Sequence, residues 1–199
     1  MPRAKVATTL AWKSQERLWY KLTEETATDF KGNPLDFAED VAKTNIPRVR
    51  FMTSHPWDFT DEMIEVIKNN KNIMPYIHLP LQSGSSNVLN LMNRRYNKEQ
   101  FLNLVEKIRN KIPDVTFTTD IIVGFPGETE ENFEDTLDVV SKVHFEQVYM
   151  FIYSRRVGTP GDKMENQVDD EIKHKRFDRL KALVESQIED NNRNYVGTI

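Results

Sequence analysis

The stretch Thr119–Leu137, TDIIVGFPGETEENFEDTL, decides how this chain folds. Ile121, Ile122 and Val123 follow one another without a polar break, as in a strand buried on both faces. Gly124, Pro126 and Gly127 end that strand in a turn, and an acidic helix follows. Strand, glycine turn and helix make most of one βα unit.

The same alternation runs outward in both directions. Upstream, Asp36–Thr44 has helical spacing, Arg48–Thr53 alternates like a strand, and Thr60–Lys68 opens on a capping threonine with acids in its first turn. Pro75–Pro80 reads as a strand, and Ser86–Met92 and Lys98–Lys111 as helices. Around the stretch itself the strand spans Thr116–Val123 and the helix Thr129–Lys142. Downstream come a strand over Glu146–Tyr153 and a long charged helix over Asp169–Asn194, with apolar positions at Ile172, Phe177, Leu180, Leu183, Val184 and Ile188. This order predicts an α/β fold, a parallel sheet covered by helices, with right-handed crossovers. The first 30 residues contain no clean βα unit and stay unassigned.

In such sheets ligands bind at the C-terminal strand ends. Four polar or Gly/Pro loops fall there: Ser54–Pro56, Leu81–Ser85, Gly124–Glu128 and Ser154–Pro160. Gly124–Glu128 is neither a Walker loop nor GxGxxG, which disfavours triphosphates and dinucleotides. It reads either as a cradle for a planar or zwitterionic ligand or as a tight turn that needs glycine. Gln82 and Ser83 offer an amide and a hydroxyl, or else only a capped helix start. Asp120, inside an apolar strand, needs ribose hydroxyls, an ammonium group or a basic neighbour. His55 closes a turn or serves as a base. Arg94 and Arg95 beside Tyr96, and Arg155 and Arg156 beside Tyr153, suit phosphates and a stacked base, or else a solvated surface. Lys173, Lys175, Arg176, Arg179 and Lys181 read as a solvated helix face.

Composition narrows the classes. The chain has 199 residues, 38% of them hydrophobic and 29% charged, enough for one folded domain with a core. A net charge of -4 disfavours nucleic-acid binding through bulk charge, so RNA would need local basic patches. No apolar run reaches membrane length and no secretory signal is evident, so the expected location is the cytoplasm, with no membrane partner. There is no cysteine, which excludes disulfides, thiolate catalysis and a cysteine-ligated iron–sulfur cluster. The four histidines show no metal-ligand spacing, so no metal site is expected.

Four segments together carry a family resemblance: FMTSHPWDFTDEMIE (51–65), HLPLQSGSSNVLNLMNRRYNKEQF (78–101), TTDIIVGFPGETEENFEDTL (118–137) and MFIYSRRVGTPGDKM (150–164). In this order and spacing they resemble the radical S-adenosylmethionine (SAM) methylthiotransferases, from about Asp29 to Val196. Thr53–Pro56, the Leu81–Ser85 loop and the Arg155–Arg156 pair look most like the branch that modifies isopentenyladenosine beside the tRNA anticodon. The ribosomal-protein-modifying branch is the alternative.

The resemblance implies a partial (βα)6, TIM-like barrel. It implies SAM and 4Fe–4S clusters as cofactors, the first cluster on a CxxxCxxC loop, where SAM is reduced to a 5′-deoxyadenosyl radical. It implies tRNA as substrate and a reductant protein as partner. Carried over, Gln82 and Ser83 would face ribose or the methionine moiety. Asp120 and Gly124, Phe125, Pro126, Gly127 and Glu128 would flank adenosine, and Tyr153 and Arg155 would lie near the adenine or the substrate side. Arg94, Arg95, Arg155 and Arg156 would contact RNA. No catalytic residue is assigned.

Against that pattern every cluster cysteine is missing, and residues 1–28 do not resemble the cluster region. The expected organisation is an unassigned segment at 1–28, a partial barrel core at 29–194, and at 195–199 the first residues of a C-terminal RNA-binding domain. The chain therefore looks like a core fragment, inactive alone in radical chemistry. A cluster-free SAM- or tRNA-binding module is a further alternative, and an unrelated acid–base enzyme using Asp120, Glu128 and His55 another.

Overall fold

A computed structural model describes residues 8–13, 16–21, 47–50 and 55–197. The expected helix at Asp36–Thr44 and the end of the strand at 51–53 lie outside them. The chain divides into two compact units, the first built from 1–54, 58–78 and 108–115, the second from 55–57, 79–107 and 116–199.

In the first unit, β1 (Thr8–Lys13) and β2 (Glu16–Lys21) form an antiparallel hairpin running from Thr8↔Lys21 to Lys13↔Glu16. Threonine, tryptophan and tyrosine suit a pleated surface. The short strand β3 (Arg48–Arg50) pairs antiparallel with β1 on its other side, Leu10 opposite Arg50. This corrects the expectation that Arg48–Thr53 belongs only to a parallel sheet, although Val49 also makes a parallel bridge to Ile73. Helix α1 (Asp61–Asn69) is capped by Thr60, whose hydroxyl accepts from Met63 N at 3.4 Å, and it buries Ile64, Val66 and Ile67. Strand β4 (Tyr76–His78) follows, with the Arg50 guanidinium 3.5 Å over the Tyr76 ring.

The second unit holds α2 (Ser86–Leu91), most of α3 (Lys98–Lys111), β5 (Thr116–Val123), α4 (Glu130–Val143), β6 (Gln147–Ile152) and α5 (Asp170–Tyr195). β5 and β6 are parallel, in register from Thr118↔Gln147 to Val123↔Ile152. On the other side of β5 runs the segment 79–82: Leu79 N donates to Thr118 O, Gln82 N to Asp120 O, and Ile122 N to Gln82 O, at 2.8, 2.8 and 2.9 Å. The predicted parallel sheet is therefore present.

Alternation along β5 and β6 sorts their side chains into two faces. Phe117, Thr119, Ile121, Val123 and Val148 lie on one face and are buried. Thr118, Asp120, Ile122, Gln147, Tyr149 and Phe151 lie on the other, where Tyr149 and Phe151 are about half exposed. The core adds Phe133, Val139, Val140 and Val143 of α4 and Leu180 and Val184 of α5. A reciprocal capping box between Thr129 and Asn132 fixes where α4 begins, immediately after the glycine loop. No described helix is long and apolar enough to cross a membrane.

Candidate functional site

At the C-terminal end of β5 the chain turns on Gly124 and Gly127, with φ of 76° and 85°. Both values lie in the left-handed region that side chains resist. The space is also taken: a Cβ on Gly124 would lie 2.3 Å from Lys173 Cγ, and one on Gly127 2.7 Å from Asn166 Nδ2. The loop satisfies its own backbone. Gly124 N donates to Glu128 Oε1 at 3.0 Å, Glu128 N to Phe125 O at 2.9 Å, and Gly127 N to Asn166 O at 2.8 Å.

Glu128 turns inward. Its side chain is 1% exposed and pairs with Arg176 Nη1 at 3.0 Å, and the same nitrogen donates to the Glu128 carbonyl. Burial pushes the Glu128 carboxyl above its ordinary range, against the opposing pull of the Gly124 N–H and the Arg176 guanidinium. A carboxylate committed in this way holds the loop rather than serving as a solvent-facing base. Arg176 Nε reaches Glu130 Oε2 at 3.0 Å, which ties α5 to the first turn of α4 as well.

Tyr153 follows β6, its N–H donating to Val123 O at 2.8 Å. Its ring meets Phe125 edge-on at 5.2 Å, and Lys173 Nζ stands 6.0 Å from the ring centre. Gly161 gives the ring room, since a Cβ there would lie 2.6 Å from the Tyr153 hydroxyl. That hydroxyl is buried without a partner, and a buried unpaired donor is costly unless something supplies an acceptor. Gln82, on the other side of β5, holds φ 69° without being glycine, and among the described residues its side-chain amide has no hydrogen-bond partner. Such strain concentrates at functional sites. Asp120 is half-buried, on the same sheet face as Tyr149, its partner across the β5–β6 ladder.

Other candidates are committed to structure. Ser83 is fully buried, accepts from Ser85 N at 3.2 Å and lies 3.4 Å from the Thr136 hydroxyl, so the Leu81–Ser85 loop docks on α4. Arg155 bonds Asp162 through Nε at 3.2 Å and holds its own loop, whereas the side chain of Arg156 is exposed. Arg94 Nη1 sits 3.3 Å from His55 Nε2, and Arg95 is exposed. Trp57 N donates to His55 Nδ1 at 3.3 Å, the turn-closing role expected of that histidine. Tyr96 is buried.

The structure thus gathers Gly124–Glu128 and Tyr153 around α5, with Gln82 one strand away. The sequence reading missed Lys173 and Arg176, which are buried rather than on a solvated face. The signal was present: stepping back from Leu180 and Val184 by helical spacing lands on Arg176 and Lys173. Ile172, read as apolar-facing, is 43% exposed.

A 4Fe–4S cluster does not fit this chain. It has no cysteine, and among the described residues no group of His, Asp and Glu could hold a metal ion. A nucleoside-type ligand fits better, because the unpaired Tyr153 hydroxyl, the Phe125 ring and the Gln82 amide offer a donor, an apolar edge and an amide.

Residues 9–140 match the family model described as the radical SAM superfamily. The chain belongs to the radical SAM superfamily. It is similar to the tRNA-2-methylthio-N(6)-dimethylallyladenosine synthase of Caldicellulosiruptor saccharolyticus, 55% identical over 154 residues covering 77% of this chain and 33% of that protein. The same-named synthase of Clostridium perfringens is 51% identical over 169 residues, covering 83% and 38%. The chain spans about a third of the length of these curated relatives. Among solved structures, coproporphyrinogen III oxidase (HemN) of Escherichia coli, a radical SAM enzyme, aligns with TM-score 0.55 at 17% identity, over 67% of this chain and 31% of that one. That match supports the fold predicted from the alternating strands and helices.

Proposed function

We propose that this chain is the central barrel portion of a tRNA methylthiotransferase, acting on a dimethylallyl-bearing adenosine. The observation that carries the reading is the 55% identity to a synthase of that name over 154 residues. The barrel core corresponds to residues 29–194 and the RNA-binding domain begins at 195–199. Gln82, Asp120, Gly124–Glu128 and Tyr153 hold S-adenosylmethionine, with Ser83 fixing the neighbouring loop. When bound, that cofactor supplies adenosyl and methyl groups. Phe125 and Tyr153 offer apolar edges to the adenine, and the Tyr153 hydroxyl and Gln82 amide provide polar contacts. Arg94, Arg95, Arg155 and Arg156 face the RNA, and a reductant protein serves the intact enzyme. No step through an iron–sulfur cluster is assigned to these residues.

The test is a chimera in which residues 55–194 replace the matching segment of the Caldicellulosiruptor synthase. Mass spectrometry of digested tRNA should then show methylthiolated nucleoside. A folded chimera that binds its clusters and makes none contradicts the reading. The absent cysteines favour a second reading, a module that binds SAM or tRNA without radical chemistry. In that case the isolated chain binds ligand and forms no 5′-deoxyadenosine after iron–sulfide reconstitution.

A further inference from the structure

Away from the glycine loop, the second unit contains an aromatic cavity. Its volume is 210 Å³, and it is lined by Pro56, Trp57, Tyr96, Gln100, Phe101 and Leu104. Trp57 is 55% exposed, an unfavourable place for a large ring unless something covers it. The Tyr96 ring is fixed from behind: its hydroxyl lies 3.0 Å from the Pro80 and Leu81 carbonyls, and its ring packs on His55 and Phe101 at 5.7 and 6.3 Å.

Two kinds of donor stand near the cavity. Gln100 Oε1 accepts from Asn97 N at 3.0 Å, which leaves the Gln100 amide NH₂ to donate. Arg94 reaches the rim through His55, at 3.3 Å. Arg95 follows in the chain, exposed and without an ion-pair partner among the described residues. None of the six lining residues carries a carboxylate. Aromatic walls, a free amide donor and two guanidinium groups match an unpaired nucleobase with acceptor edges, flanked by phosphates. A hydrophobic peptide would leave the two guanidinium groups unused.

We propose that this cavity receives one unpaired base of an RNA, stacked on Trp57, with Arg94 and Arg95 on neighbouring phosphates. The proposal rests on the tRNA reading above and assigns that RNA a contact point outside the glycine loop.

The test is a titration of labelled RNA into the full chain, followed by anisotropy. One probe is a hairpin with an adenine-rich single-stranded loop, the other a blunt duplex of the same stem. The hairpin should bind more tightly than the duplex. Trp57→Ala should weaken hairpin binding roughly tenfold, and Trp57→Phe should restore most of it. Arg95→Gln should reduce the salt slope by about 0.7 to 0.9. Should Trp57→Ala fail to fold, Trp57 emission in a Trp12→Phe/Trp19→Phe background should be quenched by the hairpin and not by the duplex. Hairpin affinity unchanged in folded Trp57→Ala, or unquenched emission despite binding, overturns the proposal and leaves the tRNA reading standing. Equal affinity for hairpin and duplex overturns it in favour of phosphate contact alone. A wild-type chain that binds neither RNA overturns the cavity proposal, while the tRNA reading stands or falls by the chimera.

Discussion

Arg176 is the residue on which the glycine loop depends most. Its guanidinium touches the Glu128 carboxylate and carbonyl and the Glu130 carboxylate, while Glu128 in turn holds Gly124 N. Removing the cation alone leaves a buried carboxylate without its partner, which typically costs about 3–5 kcal/mol. Arg176→Met should therefore lower the urea midpoint strongly. Glu128→Gln should cost less, because the amide oxygen can still accept from Gly124 and Arg176 keeps Glu130. The double variant should lose less than the sum of the two, and strict additivity in urea melts would contradict the coupling. Tyr96 gives a pH signature. Burial raises its hydroxyl from the ordinary 10.0 to about 12, so the folded state keeps the proton over a range where the unfolded chain releases it. Stability from this group is complete below pH 10 and is lost as pH rises toward 12, at most about 1.4 kcal/mol per pH unit. Tyr96→Phe, less stable at pH 8 by about 1 kcal/mol for the lost hydrogen bond, should lose less between pH 9 and 11 than the wild type. Parallel curves for the two proteins would contradict this.

At the scale of elements, three glycines rank by what surrounds them. A Cβ on Gly84 would lie 2.5 Å from Asp135 O and Thr136 Cα, the backbone of α4, which cannot move aside. At Gly124 the obstacle is the inner part of the Lys173 side chain, a side chain rather than backbone, together with the positive φ, and at Gly158 there is nothing within 4 Å, so only the positive φ resists. Denaturant melts of the three alanine variants should show losses in the order Gly84, then Gly124, then Gly158, and a Gly158→Ala loss as large as that of Gly84→Ala would contradict the docking of the loop on α4. Element legibility follows the same local chemistry. The reading of α1 was anchored by the capping Thr60 and its acidic first turn, and β5 by its uninterrupted apolar end. The β1–β2 hairpin was not legible, since only Ser14 and Gln15 separate the strands and neither is the Gly or Asn that marks a tight hairpin turn. The loops at the rim were visible as glycine and polar clusters. Their inward bonding to Arg176 and their packing on Lys173 were hidden, because a long basic helix ordinarily presents such residues to water.

For the whole molecule, two facts pull in different directions. The family match puts this chain in the radical SAM superfamily, and the absence of cysteine removes the group that radical SAM enzymes use to bind and reduce their cofactor. The rim residues Gln82, Phe125 and Tyr153 are positioned by protein contacts alone, namely the ladder to β5, the Glu128–Arg176 pair and the space over Gly161. Their arrangement therefore does not depend on a cluster. Calorimetric titration of the chain with S-adenosylmethionine, with ATP as control, addresses that point directly. A preformed rim predicts saturable binding with Kd below about 1 mM, more favourable than ~-4 kcal/mol, and none for ATP. A chain that melts cooperatively yet gives no saturable heat with S-adenosylmethionine at millimolar concentration would contradict the claim that the rim is a cofactor site.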